Sequence, residues 1–180
     1  MSKKLSKAMM GIVMSCLAVG TANAETGYYG GSFAFVDYSE EGIGDDASLN
    51  ILYGRLGTRF NENFSGEIRA GIGIGDDSVN VLGTDVDLEL DTLFGAYVRG
   101  GIQASETLYP YVILGYTRGE ATASVSGFGS VSDSESDVSF GLGVDFDVSK
   151  TLTINFEYMN YLDKGGAEID GFSIGIATIF

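Results

Sequence analysis

Apolar and polar positions alternate with a period of two along most of the chain, the spacing of strands with one oily face, and no stretch after the first two dozen residues sustains a helical period. Residues 137–148 are the clearest: Val138, Phe140, Leu142, Val144, Phe146 and Val148 alternate with Ser139, Gly141, Gly143, Asp145 and Asp147. Leu152, Ile154, Phe156 and Tyr158 alternate likewise with Thr153, Asn155, Glu157 and Met159. Farther upstream, Ile68, Ala70, Ile72 and Ile74 stand against Glu67, Arg69, Gly71 and Gly73, and Leu52, Leu56 and Phe60 against Tyr53, Arg55, Gly57 and Arg59. The last stretch, GFSIGIATIF, puts Phe172, Ile174, Ile176, Thr178 and Phe180 on one face and mostly small residues on the other. The pattern predicts eight strands, over residues 28–38, 49–60, 64–75, 86–102, 108–120, 137–148, 152–162 and 171–180. Only the run Tyr111-Val112-Ile113-Leu114 hides its facing; Val112, Leu114 and Tyr116 are assigned outward.

Alternation alone fits a soluble sandwich as well as a membrane barrel, and two further observations decide between them. The connections alternate between short ones (61–63, 103–107, 149–151) and long ones (39–48, 76–85, 121–136, 163–170). Short turns on one side and long loops on the other are the pattern of an outer-membrane barrel with an even strand number and both chain ends in the periplasm. Aromatic residues also gather at strand ends. Tyr28, Tyr29, Phe60, Phe64, Tyr109, Phe146 and Phe180 fall near the short turns, and Phe35, Tyr158 and Phe172 toward the long loops, as two interfacial girdles require. The fold expected is an all-β, eight-stranded antiparallel up-and-down transmembrane β-barrel.

Composition adds the compartment. Lys3, Lys4 and Lys7 precede an apolar run from Ala8 to Val19 and small residues ending in Ala22-Asn23-Ala24. That is a secretory signal peptide over residues 1–24, its apolar run too short to span a bilayer, with the barrel domain expected over 25–180. Val13-Met14-Ser15 fit a lipoprotein box poorly, so Cys16 is read as part of the signal, and the remaining chain has no cysteine and no disulfide. Cleavage removes three of ten basic residues and none of 25 acidic ones, leaving seven against 25 and a net charge of -18. Such acidity excludes nucleic acid as a partner and a polybasic role at a membrane surface.

The signal peptide, the YYGGSFAF first strand, the LGTRFNENFSGEIRAG hairpin, the LYPYVILGY strand and the closing GFSIGIATIF together resemble the OmpA/OmpX-type small outer-membrane β-barrels, over the whole of the chain after the signal. The resemblance implies the outer membrane of a Gram-negative bacterium, with lipid and lipopolysaccharide as surroundings. It also implies periplasmic chaperones and the barrel-assembly machinery as partners in biogenesis, the latter reading the closing strand. Phe172, Ile174, Ile176 and Phe180 match that assembly signal, whereas Thr178 stands where a second aromatic is common. No soluble peptidoglycan-binding domain of the OmpA kind is expected after residue 180.

An eight-stranded barrel is just wide enough inside for side chains to fill it, so the lumen is expected to be a polar core. Counted from the short turns, Arg55, Glu67, Arg69, Arg99, Asp145 and Glu157 fall at one depth. Strands two and three lie opposite six and seven in such a ring, which sets Arg55 and Arg69 facing Asp145 and Glu157, with Glu67 diagonal to Arg55 and Arg59. The layer is expected to act as a static ionic plug, or alternatively as the filter of a narrow porin-like channel for small solutes or ions. A soluble ligand-carrying barrel would need an apolar cavity, which these inward charges argue against.

Catalysis is not expected, since the chain has no histidine to serve as base or orienting partner. The dyads Asp45-Asp46 and Asp76-Asp77 are read as lying in Gly-rich loops with no apolar wall to raise one pKa. Gly71, Gly73 and Gly75 lack the following helix of a nucleotide site and read as inward glycines of a crowded barrel. The acidic long loops, with Phe128 inside one of them, lack the spacing of an EF-hand, so no metal or cofactor is assigned. The chain is expected to be a monomer serving membrane integrity or contacting a surface ligand through its loops.

Overall fold

A computed structural model describes residues 26–40, 47–81, 84–125 and 129–180; the signal segment, Asp45, Asp46 and Phe128 lie outside them. The described chain forms nine antiparallel strands: β1 (Thr26–Glu40), β2 (Ala47–Arg59), β3 (Phe64–Ile74), β4 (Asp76–Val81), β5 (Thr84–Gly101), β6 (Leu108–Val125), β7 (Gly129–Asp147), β8 (Leu152–Lys164) and β9 (Ala167–Ile179). Each strand pairs with the next except β3 with β4; β3 pairs instead with β5, and β1 pairs with β9, which closes an eight-stranded barrel. β4 is the ninth strand and stands outside that ring. Gly75, with φ of 86°, ends β3 in a conformation that favours glycine, and β4 then pairs with β5 beyond the end of the β3 ladder. Gly75 is therefore a turn residue, not the inward glycine of the sequence reading.

The outward face follows the alternation. Leu52, Ile72, Val112, Leu114, Phe140 and Leu142 are all exposed, and the facing assigned to residues 112–116 holds. Such a surface is stable only where lipid covers it. The short turns close tightly: the Asn61 carboxamide accepts hydrogen bonds from the Asn63 and Phe64 amides at 2.8 and 2.9 Å, and Ser149 Oγ accepts one from Leu152 at 3.1 Å.

The other end departs from expectation, because much of what reads as loop is strand. β6 and β7 stay paired out to Val125 and Gly129, so residues 121–125 and 129–136 form a two-stranded ribbon. The 18 residues of β6, tilted as barrel strands are, rise about 45 Å, well beyond an apolar band of about 25 Å. Asp76 and Asp77 belong to β4. Residues 163–170 shrink to a hairpin turned at Gly165 and Gly166, both at positive φ, with Lys164 opposite Ala167.

Two of the predicted girdle residues turn inward. Tyr28 shares the parity of Ser32 and Ala34, is only 5 % exposed and reaches Glu67; Tyr109 shares the parity of Tyr111 and donates to the Asn63 carbonyl at 3.0 Å. Tyr29, Phe60, Phe64, Phe146 and Phe180 do face outward near the short turns, and Phe35 and Phe172 near the long ones.

The lumen is not polar throughout. Its half toward the short turns holds the charges, whereas the half toward the long connections is an apolar cluster that includes Val36, Leu49, Ile51, Leu90, Leu162 and Ile169. Hydroxyls bridge the two halves: Tyr53 to Ser173 at 3.0 Å, Tyr97 to Thr117 at 2.7 Å and Thr117 to Ser139 at 2.5 Å. Glycine makes room for the rings, since a Cβ at Gly57 would fall on the Tyr28 ring and one at Gly115 on the Tyr97 ring.

Candidate functional site

The inward positions of β2, β3, β5, β7 and β8 bring Arg55, Glu67, Arg69, Arg99, Asp145 and Glu157 into one buried layer, each at most 4 % exposed. In the strand order β3-β2-β1-β9-β8, β3 and β8 stand diametrically opposite in the ring. The central contact spans that diameter: Arg69 Nη1 and Nη2 grip Glu157 Oε1 and Oε2 at 2.5 and 2.9 Å. A planar guanidinium meeting a carboxylate through two parallel bonds is the strongest geometry such a pair has. Arg69 Nε also donates to Glu67 Oε1 at 2.5 Å, and its guanidinium lies near the Tyr53 and Tyr97 rings, at 5.2 and 4.7 Å from their centroids.

A second set of contacts crosses on the other side. Arg99 Nη2 donates to Asp145 Oδ2 at 2.5 Å, its Nη1 lies 3.5 Å from Glu67, and its guanidinium stacks 3.7 Å from the Tyr111 ring centroid. Asn155 donates to Asp145 Oδ1 at 2.8 Å and to the Tyr111 hydroxyl at 2.5 Å, while Tyr111 donates to Glu157 Oε2 at 2.8 Å. Tyr28 donates to Glu67 Oε2, also at 2.8 Å. Three cations meet three anions, and each carboxylate receives both an arginine and a neutral donor or a second arginine. Low dielectric makes such a network demanding, since an unpaired member costs several kcal/mol.

Two of the expected pairings are absent. Arg55 does not reach Asp145, which Arg99 and Asn155 occupy; its nearest anion is Glu67 at 4.0 Å, and its Nε and Nη1 find no hydrogen-bond partner among the described residues. Arg59 stays out of the layer, at the rim toward the short turns, 6.0 Å from the Tyr109 ring centroid. Between them, a cavity of about 10 Å³ beside Tyr28, Arg55, Arg59 and Arg99 has room for about one water. The sequence reading passed over Tyr28, Tyr111 and Asn155 as members of the layer, although the parity of Asn155 with Glu157 was a usable sign.

On the closing strand, Phe172, Ile174, Ile176 and Phe180 all point outward, 45–72 % exposed, and the Phe180 amide donates to the Gly27 carbonyl at 2.9 Å. The Phe180 ring packs against Tyr29, centroid to centroid 5.9 Å. Outside the membrane span, Lys164 of β8 donates to Glu135 of β7 at 2.8 Å, and that bond holds the ammonium above the usual lysine range. No group of three or more metal-ligating side chains is found among the described residues.

The comparisons with known proteins agree with this architecture. The crystal structure of Ail, the attachment invasion locus protein of Yersinia pestis, is 16% identical over 86% of this chain and 98% of its own, with a TM-score of 0.64. Ail in complex with the heparin analogue sucrose octasulfate matches at 19% identity over the same shares, with a TM-score of 0.61. Neisserial surface protein A matches at 15% identity over 86% of this chain and 97% of its own, also with a TM-score of 0.61. At these identities the likeness establishes the fold alone. No curated protein matches the sequence. The family model described as outer membrane protein beta-barrel domain matches residues 10–180, and the chain belongs to that family of Gram-negative outer-membrane barrels.

Proposed function

We propose that this barrel is a non-enzymatic, monomeric element of the outer membrane whose lumen is closed by an ionic plug and whose role lies in membrane integrity or in contacts made by its long connections. The observation that carries the reading is the bidentate Arg69–Glu157 pair across the full diameter of the barrel, braced by Glu67, Tyr111 and the Arg99–Asp145 pair. Residues 1–24 serve as the export signal, both termini face the periplasm, and Phe172, Ile174, Ile176 and Phe180 form the edge that the assembly machinery reads. The absence of histidine from the sequence supports a non-enzymatic role.

Ail is seen with a polysulfated ligand. A ligand of that kind does not suit this chain, because its ends toward the long connections carry Asp133, Glu135, Asp137, Asp163, Glu168 and Asp170 against Arg118 and Lys164. The surface partner is therefore neutral or cationic. Planar-bilayer conductance of the refolded chain tests the plug. Silence in the parent and leak in Glu157→Ala are the expected results. Steady conductance in the parent, with ion selectivity changed by Arg55→Ala and Glu157→Ala, would instead make the layer the filter of a narrow pore.

A further inference from the structure

Above the charge layer the lumen opens into a cavity of about 300 Å³, to which seven of the eight barrel strands contribute inward positions. Its floor is aliphatic: Leu49, Leu90, Leu162 and Ile169 are each at most 8 % exposed. Its wall on β6 is small, with Gly119, Ala121 and Ala123 at successive inward positions where larger side chains would fill the space. The void therefore follows from the residue sizes chosen on one strand, whereas lower down tyrosine rings occupy the equivalent room.

Three charged side chains line the cavity on β7 and β8. Glu135 is engaged by Lys164 at 2.8 Å, while Asp133 has no cation within ion-pair distance among the described residues. An occupant thus meets an apolar body site and one uncompensated carboxylate. From this geometry we infer that the cavity binds a small monocationic amphiphile, with an aromatic or short alkyl body in the cup and an ammonium group beside Asp133. The volume lies at the lower end of ligand pockets, which run from about 300 Å³ upward. An apolar cavity of about 150 Å³ takes one benzene, so this cup takes about two fused rings. The site needs no opening of the plug beneath it, and it stands whether or not the lumen conducts.

The test uses 1-naphthylmethylammonium added to the chain refolded in lipid nanodiscs, followed by methyl NMR. Saturable shifts are expected at Leu49, Leu90, Leu162 and Ile169. Asp133→Asn should weaken binding about fivefold, the worth of one partly solvated charge at close range. The anion 1-naphthoate should bind more weakly still. Ala121→Trp, or Ala123→Phe if the first variant fails to fold, should abolish the saturable shifts. The inference is overturned if the cup methyls do not saturate, if only the lipid-facing Leu52 and Ile72 methyls move, or if the filled variants bind as the parent does. Equal binding of 1-naphthoate and the ammonium overturns the role given to Asp133.

Discussion

Toward the short turns the barrel strands turn Arg55, Glu67, Arg69, Arg99, Asp145 and Glu157 inward; toward the long connections they turn Val36, Leu49, Ile51, Leu90, Leu162 and Ile169 inward. Both sets are buried inside one closed sheet, yet they fill it differently. The charged half is crowded, crossed by hydrogen bonds among side chains of six strands, and leaves a cavity of about 10 Å³; the apolar half leaves one of about 300 Å³. Directional partners explain the contrast. Leaving a buried charge unmet is costly, which draws the walls' side chains into contact around every member of the layer but Arg55, while aliphatic side chains impose no such condition and can leave space. A membrane barrel tolerates either solution, because its backbone hydrogen bonds close on themselves and its outer face is satisfied by lipid.

The contrast is broken most severely by unpairing the diametric contact. Glu157→Ala leaves Arg69 with Glu67 alone and removes the acceptor for Tyr111, so it should cost about 3–5 kcal/mol in urea unfolding from lipid vesicles. Overfilling the hydroxyl belt comes next. Gly115→Val would drive a side chain into the Tyr97 ring and should cost about 1–3 kcal/mol by the same assay. Arg55→Met sharpens the comparison by its mildness: Glu67 keeps Arg69 and Arg99, and Arg55 gives up no hydrogen bond from Nε or Nη1, so a loss below about 1 kcal/mol is expected. Least affected is the exposed pair at the far end, where Lys164→Ala should leave the unfolding midpoint unchanged.

The outer face was legible because lipid demands a strict alternation, as in Val138 through Val148, and because the depth of each inward charge can be counted from a short turn. The apolar half of the lumen was not, for two physical reasons. In β1, Phe33 and Phe35 face out while Ala34 and Val36 face in, so both faces are apolar and the polarity signal vanishes. In β5 and β8 the register shifts between Leu90 and Thr92 and between Asn160 and Leu162, which changes the parity and brings Leu90 and Leu162 inward. Tyr28 misled because a tyrosine at a strand end suits a girdle or a lumen equally well. The β6–β7 ribbon was hidden by small residues, since alternation among Ala, Ser and Thr carries little contrast.

The central claim, that the Arg69–Glu157 pair closes the lumen as a coupled unit, is tested most directly by a double-mutant cycle in unfolding free energy. The parent, Arg69→Met, Glu157→Leu and the double variant are compared in the same vesicles. The account predicts that each single substitution is strongly destabilising and that the double variant loses less than either, because no buried charge of the pair is left alone. A double variant whose loss equals the sum of the singles would contradict it.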